Sequence, residues 1–293
     1  MHKNVPENVV QLINISARIL DEKKISDARL NAELLLADVL NCSRFDLYLN
    51  FDKPLTKDEL DRFRENIKRR INHEPLQYIT GRTSFYGFDF IVNNKVLIPR
   101  PETELLVERI LEDIKKRSMS EVSIFEIGSG SGCISVSIAK SLLSGGTDVK
   151  IFSIDISEDS TEVAKENLKI NNLSSDKVSF IVKDIFEIEK LNRDFDYIIS
   201  NPPYISYDEH KKLEMDVKDF EPEIALTDFG NGLKFYEKIF QLASGDVFNG
   251  RIFCEIGFGQ KDELIRILDK NKFKRYRFHN DYSSIPRILE AEK

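Results

Sequence analysis

Ser200-Asn201-Pro202-Pro203-Tyr204 holds the residues of this chain best suited to chemistry. It follows Phe195-Asp196-Tyr197-Ile198-Ile199, a β-branched and aromatic run that reads as a buried strand. Two consecutive prolines cannot donate to a sheet ladder, so the strand stops abruptly. That leaves a polar side chain, two free carbonyls and an aromatic ring at a strand's carboxyl end, where open α/β sheets bind ligands. The chemistry these groups fit is methylation of a planar nitrogen. The lone pair of an amide or aromatic amine is delocalised and nucleophilically weak. The Asn201 side-chain oxygen and the Pro202 carbonyl can each accept one N–H of a substrate NH2 group, which aims the nitrogen at an incoming methyl. Such orientation contributes up to about 7–11 kcal/mol without a strong base. Tyr204 can lie against the flat group. Taken alone, the same residues also read as a turn.

A second constellation lies upstream. Glu126-Ile127-Gly128-Ser129-Gly130-Ser131-Gly132 ends a strand and opens a helix. Glycines let the backbone turn tightly and approach a ligand closely. Dinucleotide and phosphate sites use similar loops, and a plain strand–helix turn needs no ligand at all. Asp155 ends the next strand, where a carboxylate can accept both hydroxyls of a ribose. It lies further along than the roughly 20 residues of a dinucleotide fingerprint. Asp184 ends the third strand, placed for an adenine amino group, with Ile185 and Phe186 beside the base. Each acid alone also fits a helix cap or a solvated strand end. Together with Glu126 they would repel a diphosphate but suit the sulfonium and amino group of S-adenosylmethionine.

The elements that must position these groups follow from periodicity. From about Pro6 to His73 the chain reads as helices. Val9, Leu12, Ile13, Ser16, Ile19 and Leu20 make one stripe, and Leu30, Leu34, Leu35 and Leu40 a second that Ser26 can cap. Ser43 starts a short third helix. Thr56 to Glu59 is a capping box ahead of Leu60, Phe63, Ile67 and Ile71, and Glu74-Pro75 ends that helix. Arg62, Arg64, Lys68, Arg69 and Arg70 cluster there, as a solvated face or a dock for an acidic partner. Phe85–Val92 and Lys95–Ile98 flank Asn93-Asn94 and read as a β-hairpin. Pro101 suits the first turn of a helix faced by Leu106, Ile110 and Ile114. That segment is a rigid capped linker, or it sets Arg100, Glu102 and Glu104 beside a substrate pocket.

From Val122 strands and helices alternate, with strands expected at 122–127, 149–154, 178–183, 195–200, 251–256, 273–278 and 285–290. Helices are expected near 133–143, 158–171, 232–243 and 260–269. The fold class is α/β: a Rossmann-like, seven-stranded, mainly parallel sheet, its last strand inserted antiparallel. A small all-helical domain and a β-hairpin linker precede it. The expected layout is residues 1–82 helical, 83–97 hairpin and 98–293 catalytic.

Composition narrows the classes. The chain has 293 residues, 41% apolar, with 43 Lys plus Arg against 50 Asp plus Glu and a net charge of -7. An acidic chain is poorly suited to gripping a nucleic-acid backbone. Cys42, Cys133 and Cys254 are far apart, as are His2, His73, His210 and His279, so no metal-ligand spacing arises. The cysteine usage suits a reducing cytosol. The N-terminus shows no signal-peptide pattern, and no apolar run approaches the roughly 20 residues of a membrane span.

The glycine loop with Asn-Pro-Pro-Tyr resembles the class I S-adenosylmethionine-dependent methyltransferases that act on planar nitrogen. The finer resemblance is to the HemK/PrmC family, the protein-(glutamine-N5) methyltransferases of peptide chain release factors. The segments that carry it run in order: Glu74–Gly81; Phe85-Tyr86-Gly87; Ile98–Glu104, with its Arg-Pro-Glu-Thr-Glu; Gly128–Ile134; Asn201–Ile205; Glu221-Pro222 with Ala225-Leu226; and Glu255-Ile256-Gly257 with Gly259-Gln260. Departures are small. Glu126 stands where Asp is also common, Ile185 where bulkier residues are frequent, and the segment after Leu226 is less glycine-rich than usual.

The resemblance implies S-adenosyl-L-methionine as cofactor, S-adenosyl-L-homocysteine as product, and no metal. It implies class 1 release factors as protein substrate, through the glutamine of their Gly-Gly-Gln loop, with no membrane or direct nucleic-acid substrate. It assigns Gly128, Ser129, Gly130, Ser131, Gly132, Asp155, Asp184, Ile185 and Asn201 to the cofactor. Asn201, Pro202 and Tyr204 become the catalytic set, and Pro203 and Arg100 join them in binding substrate. The helical domain would hold the release factor's body, and the enzyme would be cytoplasmic. Three alternatives use the same motif or loop: an adenine-N6 or guanine-N2 nucleic-acid methyltransferase, a glutamine methyltransferase of a ribosomal protein, and a non-enzymatic cofactor-binding module.

Overall fold

The structure, a computed structural model, describes residues 8–293. The expected helical start at Pro6 and His2 lie outside the described residues. The chain divides into two units, one running through Gly81 and including Glu214–Phe220, the other Arg82–Leu213 with Glu221–Lys293.

The first unit is helical: α1 (Val9–Glu22), α2 (Ala28–Val39), α3 (Arg44–Leu49), α4 (Lys57–Ile71) and α5 (Leu76–Thr80). The Asn8 side chain caps α1 by accepting from the Gln11 N–H at 3.1 Å. Ser43 and Thr56 open α3 and α4 with reciprocal capping boxes to Asp46 and Glu59. The cap expected at Ser26 falls one residue on. Asp27, at φ 49°, is the N-cap of α2 without a side-chain cap bond, while the Ser26 carbonyl accepts from Asn31 Nδ2 at 3.0 Å. Leu30 is exposed, and Leu35 and Leu36 join Leu20 and Phe63 in the core. Burial of each is worth roughly 1.5–3 kcal/mol. Glu33 is fully buried yet satisfied by Arg29, Arg44 and Tyr48. The basic cluster divides: Arg62 donates to the Val39 carbonyl and Arg69 pairs with Glu74, while Arg64 and Lys68 remain exposed.

The second unit opens with a hairpin, β1 (Arg82–Phe85) and β2 (Phe88–Ile91). Its turn is Tyr86-Gly87, both at positive φ (51° and 78°), rather than Asn93-Asn94. A two-residue hairpin loop favours that geometry. Asn93 instead takes the Lys95 N–H on its side chain and the Val96 N–H on its carbonyl, so the chain turns at Asn94-Lys95 and Lys95–Ile98 forms no strand.

The remaining elements are α6 (Pro101–Lys116), β3 (Glu121–Ile127), α7 (Cys133–Ser144), β4 (Asp148–Asp155), α8 (Glu158–Ile170), β5 (Val178–Val182) and β6 (Tyr197–Ser200). Then come α9 (Tyr207–His210), α10 (Met215–Lys218), α11 (Glu223–Leu226), α12 (Lys234–Ala243), β7 (Arg251–Glu255), α13 (Lys261–Lys270), β8 (Arg275–Asn280) and β9 (Pro286–Glu292). α10 belongs to the helical unit, where Asp216 meets Arg70 at 2.7 Å and His73 at 2.8 Å.

The seven strands run in the order β5-β4-β3-β6-β7-β9-β8, parallel except where β9 inserts antiparallel between β7 and β8. Side chains alternate between two cores. Ile124, Tyr197, Ile199 and Phe253 pack on one face, and Phe125, Ile127, Ile198 and Ile252 on the other. The order reverses between β3 and β6. Their paired ends, Ile127 beside Ser200, put Gly128 and Asn201 at the switch point where such sheets bind ligands.

Candidate active site

The glycine loop is shaped by backbone demands. Gly128, Gly130 and Gly132 all take positive φ, a region costly for other residues. A Cβ on Gly132 would come within 2.9 Å of the Phe180 ring and 3.1 Å of Ala164, so its smallness lets α7 close on α8 and β5. The Gly128 and Ser129 N–H groups donate to the Ile154 carbonyl, tying the loop to the end of β4. Asn167, wholly buried on α8, donates to the Ser131 carbonyl and clasps both backbone groups of Ile91 in the hairpin. A lone Asn on a helix carries no sequence signal of such a contact, so the role of Asn167 emerges only in the fold.

Beside the loop lies a cavity of about 490 Å³. Gly128, Ser129, Gly130, Ser131, Asp155, Asp184, Ile185, Asn201, Pro203 and Arg100 all line it. Gly132, Pro202 and Tyr204 do not: Gly132 faces the helix packing, Pro202 is buried, and the Tyr204 hydroxyl turns inward to Glu255. Asp155 accepts from the N–H of Gly130 and of Ser157, each at 2.9 Å and on different oxygens. A carboxylate oxygen can accept more than one donor, so both retain capacity toward the cavity. Asp184 accepts the Phe186 N–H at 2.9 Å. Ile185, Phe186 and Phe235 supply apolar wall, with the two rings edge-to-face at 5.2 Å.

Glu126 lies behind the loop rather than in the wall. It is fully buried, its Oε2 accepts from the Ser135 and Ser153 hydroxyls, and Oε1 has no partner. Burial pushes its carboxyl up to about 7. Cys133 touches the cavity, but burial raises its thiol to about 12, which leaves it unreactive.

The loop after β6 is held from several sides. Asn201 Nδ2 donates to Thr103 Oγ1 at 3.2 Å, Thr103 donates to Glu255 Oε2 at 2.6 Å, and the Tyr204 hydroxyl donates to Glu255 Oε1 at 3.1 Å. Burial raises the Glu255 carboxyl, opposed by those two hydrogen bonds, and burial next to Glu255 raises the Tyr204 phenol. Gln260 donates to the Tyr204 carbonyl at 2.8 Å while accepting the Gly257 N–H at 2.9 Å. A Cβ on Gly232 would lie 2.1 Å from that same carbonyl, so the 228–234 loop passes directly against it. Asp228 folds that loop by accepting from Gly230, Gly232 and Lys234.

Arg100 pairs with the buried Glu221, which also accepts the Ile98 N–H. Of the Arg-Pro-Glu-Thr-Glu segment, Thr103 rather than the acids faces the cavity. Glu102 is exposed, and Glu104 binds the Tyr86 N–H at 2.7 Å. Thr103, Glu221, Glu255 and Gln260 all sit in the segments that carry the family resemblance. Their position there was the available signal.

The donor set fits S-adenosylmethionine. The buried Ser129 hydroxyl lines the cavity without a partner, and two carboxylates stand at successive strand ends next to an apolar slot. Among the described residues no group of three or more His, Cys, Asp or Glu is placed to hold a metal ion, and no helix is long and apolar enough to cross a membrane.

Both units of the chain have relatives among known proteins. The PrmC N-terminal domain family matches residues 11–81, and a methyltransferase domain family matches residues 118–248. The release factor glutamine methyltransferase of Fusobacterium nucleatum is 36% identical over 99% of this chain and 80% of its own. That of Chlorobaculum tepidum is 34% identical over 97% of both chains. Among solved structures, the N-terminal domain of human METTL16 shares the fold at 16% identity, with a TM-score of 0.52 over 83% of this chain and 86% of its own. Near-full-length identity of this order, with both component domains matched in sequence, places the chain in the release factor glutamine methyltransferase family.

Proposed function

We propose that this protein transfers a methyl group from S-adenosyl-L-methionine to the side-chain amide nitrogen, N5, of the glutamine in the Gly-Gly-Gln motif of class 1 peptide chain release factors. The observation that carries the reading is the juxtaposition of Asn201 with the glycine loop, one residue beyond paired strand ends and on one cavity wall. Bound S-adenosylmethionine supplies an electrophilic methyl on a sulfonium centre and leaves as S-adenosyl-L-homocysteine. Gly128 to Ser131 give it a close-fitting backbone, Asp155 accepts from the ribose hydroxyls, and Asp184 with Ile185 borders the adenine. Gly132 serves the loop's shape. Asn201 Oδ1 takes one N–H of the glutamine amide and turns its lone pair toward the methyl; the second N–H is assigned to the Pro202 carbonyl, although Pro202 is buried and outside the cavity lining. Pro203 and Arg100 flank that amide, and Tyr204 supports it from behind through Glu255. No general base is needed before transfer, because the excess amide proton becomes acidic only once the new N–C bond exists.

In this reading residues 1–82 recognise the body of the release factor, 83–97 are a linker and 98–293 perform the chemistry. The activity belongs in the cytoplasm, in keeping with three unbridged cysteines. The test is incubation with labelled S-adenosylmethionine and either a release factor or nucleic acid. The expected result is one methyl group on the Gly-Gly-Gln peptide by mass spectrometry. Label on nucleic acid alone, or on neither acceptor, sinks the proposal.

A further inference from the structure

Asn201 can accept from a substrate amide only if its oxygen, and not its nitrogen, faces the cavity. A carboxamide has no intrinsic preference between the two orientations, so something must choose. The choice can be traced atom by atom. Taken in its ionised form, the buried Glu255 carboxylate can only accept; Thr103 lies 2.6 Å from its Oε2 and the Tyr204 hydroxyl 3.1 Å from its Oε1. The single hydroxyl proton of Thr103 is therefore committed to Glu255. Toward Asn201, at 3.2 Å, Thr103 Oγ1 has only a lone pair to offer. The Asn201 atom facing Thr103 must then be the donor Nδ2, and Oδ1 is left for the ligand. The Tyr204 hydroxyl, at 3.1 Å from Glu255 Oε1, satisfies the second carboxylate oxygen and holds the acid in place.

We infer that Thr103 and Glu255 are positioning residues that lock the Asn201 carboxamide with its oxygen toward the substrate, so that the site accepts a side-chain amide and rejects the corresponding carboxylate. The inference rests on the glutamine-methylating reading and deepens it. It also gives the tyrosine of Asn-Pro-Pro-Tyr a task that its place outside the cavity wall would otherwise leave unexplained. A glutamate in the acceptor position would bring a carboxylate against Asn201 Oδ1 and the Pro202 carbonyl, three acceptors with no proton between them. Releasing the lock lets Asn201 rotate and offer Nδ2, which a carboxylate can use.

The test is Thr103→Val, which keeps the shape and removes the hydroxyl, beside Thr103→Ser, which restores a hydroxyl. Acceptors are a release factor carrying Gly-Gly-Gln and, as competitor, the same factor carrying Gly-Gly-Glu. Thr103→Val should lower kcat about tenfold, the effect of losing one oriented hydrogen bond, with KM for the release factor and cofactor affinity within about twofold. Its preference for the Gln factor over the Glu competitor should shrink by about tenfold, and Thr103→Ser should recover most of both losses. A merely structural role for Thr103 would not move that preference. Cofactor binding by calorimetry reports that the variant is folded; if Thr103→Val fails there, Thr103→Ala carries the same expectation. Unchanged preference in a folded variant that lacks the hydroxyl, whatever its kcat, or a serine variant as impaired as the valine one, overturns the inference alone. A wild-type protein that methylates no release factor overturns the functional reading along with it.

Discussion

The Gly130 N–H donates to Asp155 Oδ2 at 2.9 Å, which couples the glycine loop to the carboxylate ending the neighbouring strand. Asp155 therefore does two things: it shapes the loop, and it offers its remaining lone pairs to the cavity. Asp155→Ala removes both. Each hydrogen bond to a charged group is worth about 1.5–3 kcal/mol, so cofactor affinity should fall by roughly 10- to 100-fold or more. Calorimetric titration with S-adenosylmethionine measures this directly. Affinity equal to that of the unaltered protein would remove Asp155 from the cofactor site.

Asn201→Ala should separate binding from chemistry. The side chain is one of two acceptors proposed for the substrate amide, and its own nitrogen is already engaged by Thr103. Loss of one oriented transition-state contact lowers turnover by about 10²–10³. Cofactor affinity should stay close to normal, since the loop and both carboxylates are untouched. A variant with near-normal turnover would end the role given to Asn201.

Within the helical unit, Asp216 holds the guanidinium of Arg70, whose side chain is 6% exposed, and reaches His73 as well. Arg70 keeps Asn31 and the Glu74 carbonyl when Asp216 is removed, so the charge is weakened in its pairing but not abandoned. Asp216→Ala should cost about 1.5–3 kcal/mol in urea unfolding. The surface pair Lys211–Asp208 is the control: Asp208→Ala should leave the midpoint where it was. Equal effects for the two variants would show that burial of Arg70 does not matter.

The parallel sheet was legible because its strands are short β-branched runs buried on both faces, and Ile124, Ile151, Ile198 and Ile252 are fully enclosed as such runs require. Caps at Ser43 and Thr56 were legible because a capping box is local. Where local signals competed, the stronger one decided the structure. Asn93-Asn94 looked like the hairpin turn, yet Tyr86-Gly87 makes it, since a glycine at positive φ outweighs the asparagines and Glu104 holds the Tyr86 N–H. The short helices α9 to α11 span too few residues to show a period. Of the site, the strand-end groups could be named from the sequence. The Asn201–Thr103–Glu255–Tyr204 chain could not, because it joins three segments far apart in sequence through contacts that only folding creates.

Glu126 makes a prediction about acidity. Its carboxyl is fully buried and raised to about 7 from the ordinary 4.5 that it regains on unfolding. Between those two values the folded chain holds a proton that the unfolded chain has released. The folded state thus binds more protons, and stability from this group falls as pH rises through that window, by about 3 kcal/mol in all. Below about 4.5 both states are protonated, above about 7 both are ionised, and the slope vanishes. Glu126→Gln removes the titration while its side-chain oxygen still accepts from Ser135 and Ser153, and its new NH2 takes the place of the unpartnered Oε1. The variant should lie within about 1 kcal/mol of the unaltered protein near pH 5 and exceed it by about 3 kcal/mol at pH 8. Comparing the two chains by urea unfolding at both values cancels every other titrating group. A stability difference that is the same at pH 5 and pH 8 would show that Glu126 is already ionised in the folded state at pH 5, and that its buried charge is satisfied by the two serines alone.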